Sequence, residues 1–311
     1  MSTEPTPATT VQTQHQDMIH DAQLDYYSKR LATCSSDRSI KIFSADDPRT
    51  ALDTINKHNG PVWAVQWAHP KFGVLLASAS YDGTVMIHRE TTPNHFDTIK
   101  VFSHHRVSVN AIKWAPHQYG LMLACASSDG KVSILTAIDA SATNWHVQTI
   151  VVSGMGVNSV DWAPHGHLGQ SPEGNVMRIV TGSCDNTVRI FKGDTKTGQW
   201  DAKGKEIAVH DNWVRCVAWA PTTGLPVNSI ASCSEDGTAA IHTQTAAKDD
   251  ASWDSRTLHD FAVPVWTVSW SLTGNILAVA AGTSNVTLWK ENLSGTWVRV
   301  SKVDDAERKS E

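Results

Sequence analysis

The chain has 311 residues, 41% hydrophobic and 18% charged, with a formal net charge of −5. That is the composition of an ordinary globular domain, and it argues against direct nucleic-acid binding, which draws its affinity from clustered Lys and Arg. No run of about 18 apolar residues marks a membrane span, and the first seventeen residues, polar and rich in Thr, Gln and Pro, lack the basic start and apolar stretch of a secretory leader. Cys34, Cys125, Cys184, Cys216 and Cys233 lie in apolar segments and form no C-x-x-C pair, which fits buried thiols in a reducing cytosolic or nuclear setting.

Read in chain order, one unit recurs. A degenerate copy, I-H-D-A-Q-L over 19–24, precedes V-W-A-V-Q-W (62–67), V-N-A-I-K-W (109–114), V-N-S-V-D-W (157–162), V-R-C-V-A-W (214–219) and V-W-T-V-S-W (265–270). The fourth and sixth positions stand two apart, so both project from one face of a strand. The five Trp residues are spaced by 47, 48, 57 and 51, near the period of a four-stranded propeller blade.

A second column follows each copy: an apolar pair, then Ser, Thr or Cys, then a turn Asp. It reads as strand, tight turn and strand. Thr33, Ser78, Thr181 and Ser232 are its strand hydroxyls, and Asp37, Asp82, Asp129, Asp185 and Asp236 its turn acids, with Thr283 in the sixth copy. A third column places His15, His58, His105 and His210 nine residues before the end of the first strand, with Ser153 and Phe261 in the other two places. These columns resemble the WD repeat, which implies a hydrogen-bonded chain of His, Ser or Thr, Asp and Trp inside each blade. The Trp place holds Phe43, His88, Leu135, Phe191, His242 and Trp289, so most chains are expected to be truncated. Ser, His and Asp are also the residues of a nucleophilic triad, but a catalytic site needs one unique constellation. Repetition in several blades points to structure, and no enzyme activity, cofactor or metal site is expected.

Segments opening N-W-H-V (144), Q-W-D-A (199), S-W-D-S (252) and T-W-V-R (296) supply outer strands. The fold class expected is all-β: residues 18–303 form a WD-repeat β-propeller of six four-stranded blades, between tails at 1–17 and 304–311. Long connections fall at 165–175 and 222–228. Because 296–303 already completes the last blade, the segment at 10–14, including Val11, is left over as an extra strand, the outer strand of a seventh blade whose inner strands are missing. An open ring leaves two apolar faces uncovered. Roughly 1,000 Å² of such surface, at about 25 cal/mol per Å², gives a gross gain near 25 kcal/mol on covering, which association costs then reduce. A partner is expected to insert a three-stranded blade against Ile19, Ala22, Leu24, Val265, Val268 and Trp270. Trp63, Trp213 and Trp266 share the second template position near the top of the ring, where they pack between blades or form a peptide-binding surface.

The stretches M-I-H-D-A-Q-L-D-Y-Y (18–27), R-L-A-T-C-S-S-D-R-S-I-K-I-F (30–43), G-P-V-W-A-V-Q-W-A-H-P (60–70), N-W-V-R-C-V-A-W-A-P (212–221) and N-I-L-A-V (275–279) resemble the Sec-thirteen family, the small WD-repeat subunits of the COPII coat. The resemblance covers roughly 18–300. It implies an open six-bladed propeller completed in trans by the large outer-coat subunit Sec-thirty-one, at the endoplasmic reticulum membrane and held there only through the coat. It also implies a place in the Y-shaped nuclear pore scaffold, where a nucleoporin donates the equivalent blade, and an association with a nutrient-signalling complex at the vacuole or lysosome. The related Seh-one pore proteins and a peptide-reading adaptor are the alternatives.

Overall fold

The computed structural model describes residues 11–166, 176–221, 227–245, 252–283 and 285–303. Among them, 24 strands form six antiparallel sheets of four, each sheet made from strands consecutive in the chain. Inner strands are Ile19–Leu24, Val62–Trp67, Val109–Trp114, Val157–Trp162, Val214–Trp219 and Val265–Trp270, which are the six template copies. Blades are numbered one to six in that order.

Alternation at period two gives every blade two apolar faces. Ala231, Cys233, Ala239 and Ile241 of blade five, for example, pack against Val265, Val268, Leu277 and Val279 of blade six. Ala32, Cys34, Ile40 and Ile42 of blade one pack in the same way against Val62, Val65 and Leu76 of blade two. The template Trp adds a directional bond. The indole N–H of Trp67 donates to the Gln23 carbonyl at 3.0 Å, Trp114 to Gln66 at 3.0 Å, Trp162 to Lys113 at 2.9 Å and Trp270 to Ala218 at 3.0 Å, each time reaching the preceding blade's inner strand. The same rings meet the aromatics that open the outer segments, as in Trp114 with Trp145 and Trp270 with Trp297.

The outer strand of blade four is Lys205–Val209, six residues beyond the expected start at Gln199. Trp200 instead makes an isolated bridge at Gly193 and packs on Trp162, so its aromatic contact lies outside the ladder. The long connections at 165–175 and 222–228 fall largely outside the described residues, as do 1–10 and 304–311. Val11, Thr13 and Gln14 form no strand; the Lys41 ammonium holds this segment to blade one through the carbonyls of Thr13 and Gln14 at 3.1 and 2.7 Å. A strand needs a neighbour for its backbone groups, and no described strand lies beside it.

Ile241→Ala is expected to cost about 2–5 kcal/mol, because a fully enclosed side chain leaves a cavity. Leu288→Ala, at the same register in blade six but on its open face, is expected to cost less than half as much. Urea unfolding midpoints check this; equal shifts would contradict an open ring.

Candidate functional site

Inner strands pack successively from blade one to blade six, and among the described residues no comparable packing joins the sixth to the first. The sequence marks this junction at one position. Leu24 stands where every later copy has Trp, and leucine has no N–H to donate to the inner strand of blade six.

On blade one, the uncovered face carries Ile19, Ala22, Leu24 and Leu31. Ile19 and Leu24 are 42% and 53% exposed, whereas the residues aligned with Ile19, namely Val62, Val109, Val157, Val214 and Val265, are all 0% exposed. On blade six, the uncovered face carries Ala278, Ala280, Val286 and Leu288, only half-buried although their blade-five counterparts Ala231, Cys233, Ala239 and Ile241 are buried. Val298 and Val300 extend this surface along the outer strand, at 43% and 58% exposure.

The expectation for blade six is therefore corrected. Val265 and Val268 are buried against blade five, and Trp270 donates to the Ala218 carbonyl there. Alternation turns these residues away from the opening and presents the facing set instead. Val11 is half-buried and lies in no strand. The signal for the true face was the apolar run over 276–281, whose alternate members serve opposite neighbours.

The polar columns converge as hydrogen-bonded struts. In blade one, His15 Nδ1 lies 2.9 Å from the Asp37 carboxylate and Nε2 2.9 Å from the Thr33 hydroxyl. In blade two, His58 reaches Asp82 at 3.2 Å and Ser78 at 2.7 Å. In blade five, His210 reaches Asp236 at 3.3 Å and Ser232 at 2.7 Å. In blade three, His105 reaches Asp129 at 2.9 Å, and its other nitrogen meets Ser133 at 2.8 Å, on the neighbouring strand, because Cys125 occupies the hydroxyl place.

Blade four lacks the His, and Arg189 replaces it, donating to Asp185 at 2.6 Å; Thr181 donates to the Arg189 carbonyl at 3.3 Å. An acid column without its imidazole was the sequence signal for a substitute cation. In blade six, Thr283 is exposed, Phe261 packs edge-on against Trp289, and the Trp289 indole donates to Thr287 at 2.8 Å.

The chains in blades two and five are longer than expected. His88 bonds Ser78 at 2.9 Å and Thr98 at 3.0 Å, and His242 bonds Ser232 and Ser255, each at 2.8 Å, so histidine does the work expected of Trp.

Burial opposes ionisation of Asp37, Asp82, Asp185 and Asp236, but hydrogen bonds from neighbouring hydroxyls and backbone N–H groups outweigh it and hold all four below the usual carboxylate range. Burial holds His58 and His210 below their ordinary value, and drives His88 and His242 down to about 3. Ser78 and Ser232 are fully buried, so no substrate reaches either hydroxyl. Among the described residues, no group of three or more His, Cys, Asp and Glu is placed to hold a metal. On the top rim, Trp63 donates to Ser108, Trp266 donates to the Gly282 carbonyl, and the Arg215 guanidinium lies between the rings of Trp213 and Trp266 at 5.2 and 5.3 Å.

Six four-stranded blades with repeated His–Asp struts define a WD-repeat propeller. The profile of the WD domain, G-beta repeat, matches residues 7–44, 49–89, 96–134, 146–192 and 203–242, leaving the sixth blade outside its matches. The chain is 44% identical to the Protein SEC13 homolog of Drosophila melanogaster, over 94% of this chain and 82% of that one. It is 47% identical to Protein transport protein SEC13 of Yarrowia lipolytica, over 95% and 99%, and 47% identical to the Protein SEC13 homolog of Dictyostelium discoideum, over 94% and 97%. The chain belongs to the Sec-thirteen family.

The buried imidazoles set an acid limit on stability. His88 and His242 stay neutral in the fold down to about pH 3, whereas in the unfolded chain a histidine takes its proton near pH 6.5. Below that value the unfolded state binds more protons, so stability falls as pH falls from about 6.5 towards 3. The double variant His88→Phe/His242→Phe, which places at both sites the residue found at 43 and 191, is expected to flatten this limb. Denaturant midpoints measured between pH 7 and pH 4 would show it; an unchanged slope would contradict the assignment.

Proposed function

We propose that this chain is a non-enzymatic scaffold subunit for protein transport: a rigid propeller of the COPII vesicle coat that is completed by a three-stranded blade from a Sec-thirty-one type outer-coat subunit. The observation that carries this reading is the pair of apolar faces, Ile19, Ala22, Leu24 and Leu31 on one side and Ala278, Ala280, Val286 and Leu288 on the other, left open in a ring whose other interfaces are buried. The relatives named for protein transport support the cellular role. A donated blade supplies what the ring lacks: alternating apolar side chains on both of its faces, and donors for the inner-strand edge of blade six. The same opening also accepts a blade from a nucleoporin of the nuclear pore scaffold, so this reading gives the protein two locations, the coat at the endoplasmic reticulum and the pore.

Size-exclusion chromatography of the full chain with a blade-donating fragment of the outer-coat subunit tests the reading. A stoichiometric complex that survives dilution is expected. Leu288→Asp and Ala22→Glu should each weaken it at least about a hundredfold, the effect of roughly 3 kcal/mol for an unpaired carboxylate buried at an interface. Unchanged affinity in both variants would overturn it.

A further inference from the structure

Two cysteines stand directly opposite one another in blade five. Cys216, on the inner strand, pairs in register with Cys233 on the strand Asn228–Ser234. At the same register the other blades place Asp21 opposite Cys34, Ala64 opposite Ala79, Ala111 opposite Ala126, Ser159 opposite Gly182 and Thr267 opposite Ala280. Among the described residues this pairing of two thiols is unique to blade five. Side chains of such a pair share one face, with Cβ atoms about 4.5–5.5 Å apart, against about 3.5–4.5 Å in a disulfide, so bridging needs a shift of about 1 Å.

The two sulfurs have different surroundings. Cys216 is half-buried on the wall of the central channel, a cavity of about 510 Å³ also lined by Lys113, Ser159 and Thr267. Its Sγ accepts from the Thr267 hydroxyl at 3.6 Å and from the Ser159 hydroxyl at 3.9 Å. Cys233 lies behind it, fully buried between blades five and six.

We propose that Cys216 and Cys233 form a reversible dithiol site for peroxide, with Cys216 as the attacking sulfur on the channel side and Cys233 as the resolving sulfur behind it. The hydrogen bond from the Cys233 thiol pulls Cys216 down to about 6, while burial holds Cys233 well above the ordinary thiol value. The half-buried member on the channel wall is thus the one biased towards thiolate, the nucleophilic form. The Cys216 thiolate attacks one peroxide oxygen; the O–O bond breaks, Cys216 becomes a sulfenic acid, and the departing hydroxide takes a proton to become water. The Cys233 sulfur then attacks the sulfenic sulfur, the S–O bond breaks, and the oxygen leaves as a second water with the Cys233 proton. Two thiols lose two electrons in total, and hydrogen peroxide is reduced to two waters.

The full chain is treated with hydrogen peroxide, unfolded, blocked with iodoacetamide and digested with trypsin, which leaves both cysteines on the single peptide 216–248. The expected product is that peptide lighter by two hydrogens and unalkylated, restored to two alkylated thiols by dithiothreitol. In Cys233→Ala the Cys216 sulfenic acid should persist and be trapped by dimedone; in Cys216→Ala, Cys233 should stay unmodified. A peptide that remains fully alkylated, one that carries dimedone on Cys233 in Cys216→Ala, or one that proceeds to sulfinic acid with Cys233 still free overturns the proposal.

Discussion

Each blade of this ring has two apolar faces, and the only way to cover both is to have a neighbour on each side. The inner-strand Trp supports that arrangement: its ring fills the space between blades, and in blades two, three, four and six its N–H satisfies a carbonyl on the preceding inner strand, so packing and hydrogen bonding select the same spacing. Where the side chain becomes Leu24, both contributions end together. The open junction is the one whose template position holds a side chain with neither the ring nor the N–H, and the uncovered hydrophobic surface lies there.

The polar struts serve a different need. The turn after the second strand of blades one to five places an Asp among backbone N–H groups, as where Asp82 accepts from Asn59 and Thr84. A buried carboxylate requires such donors or a cation. Two kinds of partner meet this requirement in the five blades that carry the Asp: imidazole in blades one, two, three and five, and guanidinium in blade four. In blades two and five burial disfavours the charged imidazole, and the Asp keeps hydroxyl and backbone donors of its own, so these struts act as hydrogen bonds that fix the turn geometry.

The repeat, the blade count, the inner strands and the polar columns were legible because each recurs, and recurrence distinguishes a pattern from coincidence. The blade-one half of the open face was legible too, since Ile19, Ala22 and Leu24 sit at the template positions that carry the Val, Val or Ile, and Trp of the later copies. The blade-six half was misassigned: Val265, Val268 and Trp270 hold the same template positions as Ile19, Ala22 and Leu24 and so face the preceding blade, which leaves the alternate residues Ala278, Ala280, Val286 and Leu288 for the opening, and a sheet buried on both sides offers no polar alternation to mark that set. His88 and His242 were misjudged for a related reason: a histidine in a Trp column looks like a loss, although its two nitrogens can continue a hydrogen-bonded chain that indole, with one donor, must end.

Blade six combines the departures. It has one packed neighbour, no turn Asp and no imidazole, and in place of the polar strut Phe261 and His259 pack around Trp289. Its cohesion with the ring passes almost wholly through blade five, along the face shared by Val265, Val268, Leu277 and Val279. Cys216 and Cys233 lie on the blade-five side of that same face, Cys216 accepting from the Thr267 hydroxyl. Among the described residues, the thiol pair thus adjoins the interface through which blade six packs on the ring.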